Sequence, residues 1–379
     1  MSQTVYLDYA AATPLDSQVL DSMMPYFKDN YFNPSADYLN ARNVAKELSS
    51  ARATVAYWLG AQNSEIIFTA GGTEANNLAI HGTMLNYPKA NILISAIEHD
   101  SVRKPAAKYH NREIPVHPDG RIVLEKVSSL IDDSTVLVSV MYANNEIGTI
   151  QPLRKLRQII DAVVRDRKDR GNNTPLYLHT DACQAGNYLD LHVSRLGVDL
   201  LSLNGGKIYG PKQSGALYVN RNVKLSPIID GGGQELNLRS GTENVAADIG
   251  LSTALDLAQS HKKTESIKLT SLRDYFIALL ENEIEGVIIN GSLHFRLANN
   301  VHISIPNKDN EYMLISLDQR GIMAAAGSAC SAAKGEPSLT LKALGLEPDL
   351  ARSSLRFSLG RDTKKADIDY TVSALKNLI

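Results

Sequence analysis

The sequence predicts an α/β protein: a large domain on a mostly parallel sheet with helices on both faces, then a small α+β domain. Three observations carry this. From residue 65 to 219, short β-rich runs alternate with segments of helical pattern, as strand–helix–strand units do. Residues 246–285 are helical in pattern almost throughout. Beyond them, short strand and helix patterns follow one another closely.

Glu65–Thr69 (EIIFT) reads as a strand, Gly71-Gly-Thr73 as a turn and Glu74–Gly82 as a helix. Further strands are predicted over Asn91–Ser95, Thr135–Val140, Leu176–Thr180, Asp199–Leu203 and Ser214–Val219. Buried strands interleaved with helices form a mostly parallel sheet covered on both sides. Gly286–Asn290 and Asn300–Ile305 predict a small second sheet, and Asn310–Arg320 and Leu339–Leu344 predict helices. The large domain is placed at 15–255 and the small one at 256–379, with the boundary in or beside the long helix. The arm over residues 1–14 can pack on either domain and is grouped with the small one.

The composition is that of an ordinary soluble enzyme. The 379 residues are 44% hydrophobic and 21% charged, with a net charge of −2. No basic stripe suited to nucleic acid is present. Arg165-Asp-Arg-Lys-Asp-Arg170 is interrupted by aspartates and reads as a solvated helix end. No apolar run approaches the ~20 residues that span a bilayer. The first residues lack the basic and apolar segments of a secretory signal, so a cytoplasmic enzyme is expected. Cys183 and Cys330 make neither a disulfide framework nor a zinc site.

Ligands of an open parallel sheet bind beyond the C-terminal strand ends, and several polar groups fall at those predicted ends. Gly71-Gly-Thr73 precedes a helix whose N-terminus suits a phosphate. Glu98-His99 follows one strand, Asn144-Asn-Glu-Ile-Gly148 another, and Asp181-Ala-Cys-Gln184 a third. Lys207 follows Asp199–Leu203 and precedes a Gly-Pro turn. A lysine so held can be desolvated into a nucleophile. Each feature alone has a plain structural explanation: a Gly-Gly turn, a satisfied histidine, an N-cap. Together, a strand-end acid and a strand-end lysine are what pyridoxal phosphate needs, one for its ring nitrogen and one for its aldehyde.

The order of these residues resembles the fold type I pyridoxal-phosphate enzymes. Within these the chain is similar to the cysteine desulfurases of the class-V aminotransferase family that have a long cysteine loop. The likeness is carried by Tyr6–Pro14, Thr69–Leu78, Glu98-His99, Asn144–Gly148, Asp181–Gln184, Lys207–Lys212, Arg239–Asn244, Gly327–Cys330 and Ser353–Arg361. It implies a seven-stranded central sheet. It implies that Lys207 binds the cofactor aldehyde, Asp181 the ring nitrogen and Gln184 the ring hydroxyl. His99 would stack on the ring and help to move protons, and Gly72, Thr73 and Asn204 would bind the phosphate. Asn144 would touch cofactor or substrate, Arg356 would clamp the substrate carboxylate, and Asn33 lies in a substrate-side segment. Thr242 would reach the phosphate of a neighbouring subunit, which implies a homodimer.

Cys330 decides the reaction type. Gly321–Pro337 is rich in small residues and poor in apolar anchors, so a mobile loop and an ionisable thiol are expected there. Cys183, by contrast, is expected to be a buried packing residue. By resemblance, the substrate is L-cysteine, the product alanine, and Cys330 holds a persulfide. Its sulfur would go to an acceptor protein in iron–sulfur assembly or tRNA thiolation.

The chain departs from the family pattern beside the lysine. Gly206 and Asn204 stand where a histidine and a serine are usual, and Gly206 has no side chain to offer a phosphate. The alternatives are a selenocysteine lyase, an aminotransferase of the same family, or a scaffold that has kept only the fold. A phosphate-binding P-loop at Gly205-Gly-Lys207 would need other residues than Ile208 and Ser202.

Overall fold

The structure, a computed structural model, describes residues 4–327 and 338–379. Its strands in chain order are β1 (Val5–Tyr6), β2 (Ile66–Thr69), β3 (Asn91–Ser95), β4 (Asn111–Ile114), β5 (Thr135–Ser139), β6 (Tyr177–Asp181), β7 (Leu200–Asn204), β8 (Gly215–Val219), β9 (Ile288–Ile289), β10 (Asn300–Ser304), β11 (Ile322–Met323) and β12 (Ser354–Ser358). A seven-stranded sheet runs β2-β8-β7-β6-β5-β3-β4. Its strands are parallel except β8, which is antiparallel to both neighbours. The reason is length: only residues 205–214 separate β7 from β8, and a parallel return needs a crossover of a dozen residues or more.

Strands β2, β3, β5 and β8 are buried at every position, as strands covered on both faces are. Strand β4 was not expected. Its sequence is Asn-Arg-Glu-Ile and only Ile114 is buried. Charged, half-exposed residues are typical of an edge strand, which β4 is. Asp181 closes β6 itself, so its backbone is fixed by the sheet rather than by a loop.

The helix Val245–Glu283 joins two cores. Its residues up to Ala258 pack in the core beneath the large sheet, and those from Leu269 onward pack with β10, β12 and the C-terminal helix. In that second core β10 lies between β9 and β12, all antiparallel. The N-terminal arm pairs β1 with β11 in parallel and buries Val5 and Leu7 in the second core. It then crosses to the lysine turn, where Thr13 accepts the Tyr209 N–H at 2.8 Å through its hydroxyl. Among the described residues no helix is long and apolar enough to cross a membrane.

Candidate active site

The C-terminal ends of β3, β5, β6 and β7 open on a cavity of about 210 Å³. It is lined by Gly72, Thr73, His99, Asp181, Gln184, Asn204, Lys207 and Arg356, all expected from the sequence. Ala10, Ala11, Asn76, Ser101, Met141, Ala143, Asn145 and Cys183 line it as well.

Lys207 ends a single helical turn after β7. Its carbonyl accepts from Asn187 at 2.8 Å, and the Gly206 carbonyl accepts from the Thr13 N–H at 3.2 Å, so the turn is pinned on two sides. The Nζ donates to the Ala10 and Ala11 carbonyls at 2.8 and 2.5 Å. Burial holds this amine below the usual lysine range, and Arg356 adds to the effect.

Asp181 is held at both oxygens. Oδ1 accepts the Cys183 N–H at 2.9 Å, and Oδ2 accepts the Asn76 amide at 2.7 Å. Gln184 donates to the Ala10 carbonyl at 3.0 Å. His99 caps the helix Asp100–Ala106, its Nδ1 accepting the Ser101 N–H at 3.0 Å.

The helix Gly72–Met84 starts at the cavity, two residues earlier than the sequence suggests. Gly71 has φ of 110°, which a side chain resists. A Cβ on Gly72 would lie 2.4 Å from the Cys183 sulfur, so only glycine fits there. The free N–H groups of that first turn make an anion site. Asn204 faces it: Oδ1 is taken by the Gly206 N–H at 3.0 Å, while Nδ2 lies 3.6 Å from the position a Gly72 Cβ would occupy. A cleft that shares Gly72, Thr73, Asn204 and Lys207 with the cavity adds Gly206 and Lys212.

Arg356, on β12, is 2% exposed and donates to the Asn145 carbonyl at 3.0 Å and to Asp8 at 2.7 Å. Its Nε is buried without a partner. An amine, a carboxylate, an amide and a helix N-terminus converge here, so the residues present fit pyridoxal phosphate.

Two expected residues stand elsewhere, and Thr242 was expected at a neighbouring subunit rather than here. Asn144 is fully buried and committed: its amide donates to the Ile97 carbonyl, and its oxygen accepts from the Glu146 and Ile147 N–H groups. It shapes the turn, and its neighbour Asn145 lines the cavity instead. Asn33 is exposed and caps its own turn through the Ser35 N–H at 2.9 Å. Thr242 is exposed and does not line the cavity of its own chain. Cys183 is only half-buried and lines the cavity, so it is not simply packing. Its thiol is nonetheless pushed well above the usual range by burial, and further by Asp181. Cys330 lies outside the described residues, as does most of the loop expected around it.

Two predictions arise here. A Cβ at Gly206 would meet nothing closer than 3.4 Å, so a histidine can be built there. A charge-assisted bond to phosphate contributes about 1.5–3 kcal/mol. Gly206→His is therefore expected to lower the cofactor dissociation constant by roughly 10- to 100-fold; an unchanged constant would show that Asn204 and the helix N-terminus already suffice.

The second concerns Glu98, which is buried behind the cavity. It accepts from Ser95 at 2.5 Å and from the Met141 N–H at 2.7 Å, and its Oε2 has no partner. Burial raises its carboxyl from 4.5 to about 8. Between those values the folded chain binds the proton and the unfolded chain does not, so stability falls as pH rises through that window. Glu98→Gln removes this dependence. Relative to wild type, the variant is expected to gain on the order of 3–5 kcal/mol between pH 4.5 and 9. Denaturant unfolding across that range checks it; parallel curves would refute it.

Comparison with known proteins agrees with this geometry. The aminotransferase class-V family matches residues 5–371. A cysteine desulfurase IscS of Dictyoglomus turgidum is 40% identical over all of this chain and 95% of its own length. The protein of that name from Methanosarcina thermophila is 37% identical, over all of this chain and 92% of its own. Among solved structures, a NifS-like protein superimposes with a TM-score of 0.90 at 29% identity, covering 99% of both chains. SspA in complex with cysteine does so with a TM-score of 0.80 at 33% identity, covering 94% of this chain and 99% of its own.

Proposed function

We propose, from the premise that this chain belongs to the class-V aminotransferase family and is a pyridoxal-phosphate-dependent cysteine desulfurase, that Cys330 takes the sulfur of L-cysteine while Lys207 and Asp181 hold the cofactor. Bound pyridoxal phosphate supplies an electron sink beside the substrate α-carbon. Arg356 receives the substrate carboxylate, exchanging it for Asp8. Lys207, with its lowered amine, takes the α-proton. The Cys330 thiolate forms an S–S bond to the substrate sulfur as the Cβ–S bond breaks. The electron pair stays on carbon, which is protonated, and alanine leaves.

The observation that carries the role of Cys330 lies at the flanks of its segment. Ser338 donates to Glu146 at 2.5 Å, and a Cβ on Gly327 would lie 3.1 Å from the same carboxylate oxygen. Both flanks thus meet one side chain, and that side chain adjoins the cavity-lining Asn145. Cys330 stands three residues past Gly327, within about 11 Å of it along an extended chain.

The persulfide sulfur then passes to an acceptor protein, an iron–sulfur scaffold or a tRNA-thiolating enzyme, in the cytoplasm. The enzyme works as a homodimer. Exposed Leu20, Met24, Phe27, Tyr31 and Leu39 supply apolar surface for a second copy, and exposed Thr242 is free to serve its neighbour's phosphate. Sedimentation at micromolar concentration tests this, and a monomer would overturn it.

The activity itself is tested with L-cysteine and a reductant. Alanine and sulfide in equal amounts are expected; sulfide without alanine would refute the reading. A much faster rate on selenocysteine would move the assignment to a selenocysteine lyase.

A further inference from the structure

His99 reaches the cavity from the helix after β3 and Asp181 from the end of β6, yet one side chain joins them. The Asn76 amide nitrogen donates one hydrogen to Asp181 Oδ2 at 2.7 Å and the other to Ser101 Oγ at 2.8 Å. Ser101 Oγ lies 2.8 Å from His99 Nδ1, and the Ser101 backbone N–H donates to that same nitrogen at 3.0 Å. The directions are fixed at both ends. An amide nitrogen and a backbone N–H can only donate. Ser101 Oγ accepts from Asn76 and gives its own proton toward Nδ1. Nδ1 therefore carries none, and the ring proton sits on Nε2.

The orientation of Asn76 is equally determined, since a flipped amide would set its oxygen against the Asp181 carboxylate. Asn76 is 1% exposed, and its own Oδ1 is buried without a partner. An orphaned buried carbonyl is destabilising, so this residue is poorly explained as packing. It is well explained by what its two hydrogens hold.

Resting on the cofactor reading above, we propose that Asn76 and Ser101 are positioning residues. Asn76, with the Cys183 N–H, sets the Asp181 carboxylate for the ring nitrogen. Ser101 locks His99 as the neutral tautomer that presents an N–H from Nε2. His99 in this state donates a hydrogen bond and does not collect the α-proton, which leaves that step to Lys207. One asparagine thus ties the group that partners the ring nitrogen to the group expected to stack on the ring.

The test uses holoenzyme labelled with ¹⁵N-histidine, with His99 assigned by its loss in His99→Gln. The wild-type ring is expected to show a bare Nδ1 and a protonated Nε2 at neutral pH; a proton on Nδ1 overturns the proposal. Ser101→Ala deletes only a hydroxyl. It should shift the His99 resonances toward a tautomer mixture, and Ser101→Thr should restore them; resonances unmoved in Ser101→Ala remove Ser101 from the role. Asn76→Ala should raise the cofactor dissociation constant about tenfold or more. Asp181→Ala is measured beside it. Undiminished cofactor binding in Asp181→Ala overturns the underlying cofactor reading. Weakened binding there but not in Asn76→Ala overturns this proposal alone.

Discussion

Exchange of Lys207 for alanine is expected to cut alanine release by at least ~10⁴-fold, because in the proposed mechanism the amine both anchors the cofactor and moves the α-proton. The structure explains why no neighbour substitutes for it. Burial lowers this amine toward the range of a working base. Lys212, the other lysine nearby, donates to the Thr13 carbonyl at 2.7 Å and faces the phosphate-side cleft. Lys207→Arg makes the sharper control. It keeps the positive charge over the Ala10 and Ala11 carbonyls but removes the titratable amine. The arginine variant is expected to be as inactive as the alanine one. Turnover within tenfold of wild type in either would show that Lys207 is only structural.

The second large effect is expected at Cys330. With Cys330→Ser, the nucleophile proposed for the substrate sulfur is lost, and alanine release should fall below detection. The cofactor's visible absorption, and its change on adding L-cysteine, should persist, since every residue assigned to those steps is intact. The structure also supplies a rival. Cys183 lines the cavity itself and is therefore nearer to the chemistry than any packing residue. Its protonation state argues against it. Burial and the adjoining Asp181 keep the thiol above its usual range, and the thiol rather than the thiolate is a poor nucleophile.

The sequence made the central strands legible because they are apolar at nearly every position, which only strands covered on both faces need be. It did not reveal Asn111–Ile114, where a half-exposed edge carries Asn, Arg and Glu. It also hid Ser354–Ser358 as a strand. Its polar residues are buried rather than exposed, so Ser-Leu-Arg-Phe-Ser follows neither familiar pattern. The acid, the lysine and the helix N-terminus were legible as strand-end signals.

What failed was the choice between adjacent residues and the recognition of supporting ones. Nothing in Asn144-Asn145 says which amide is consumed by the turn; only the fold shows Asn144 bonded at both ends of its amide. Asn76 and Ser101 sit inside helices, where a polar residue suggests a solvated face. Both point inward, because the Gly72–Met84 helix lies against the strand that carries Asp181 and the Asp100–Ala106 helix packs against it in turn. Cys183 looked like packing from its place in the sequence. Its contact with Gly72, where any Cβ would collide with the sulfur, is a three-dimensional fact.

The central claim is that the sulfur of cysteine lands on Cys330. The direct measurement is mass spectrometry of the holoenzyme quenched with an alkylating agent after L-cysteine is added without reductant. The account predicts one added sulfur on the peptide containing Cys330, none on the peptide containing Cys183, and no added sulfur in Cys330→Ser. Sulfur found on Cys183, or a Cys330→Ser variant that still releases alanine at the wild-type rate, would contradict it.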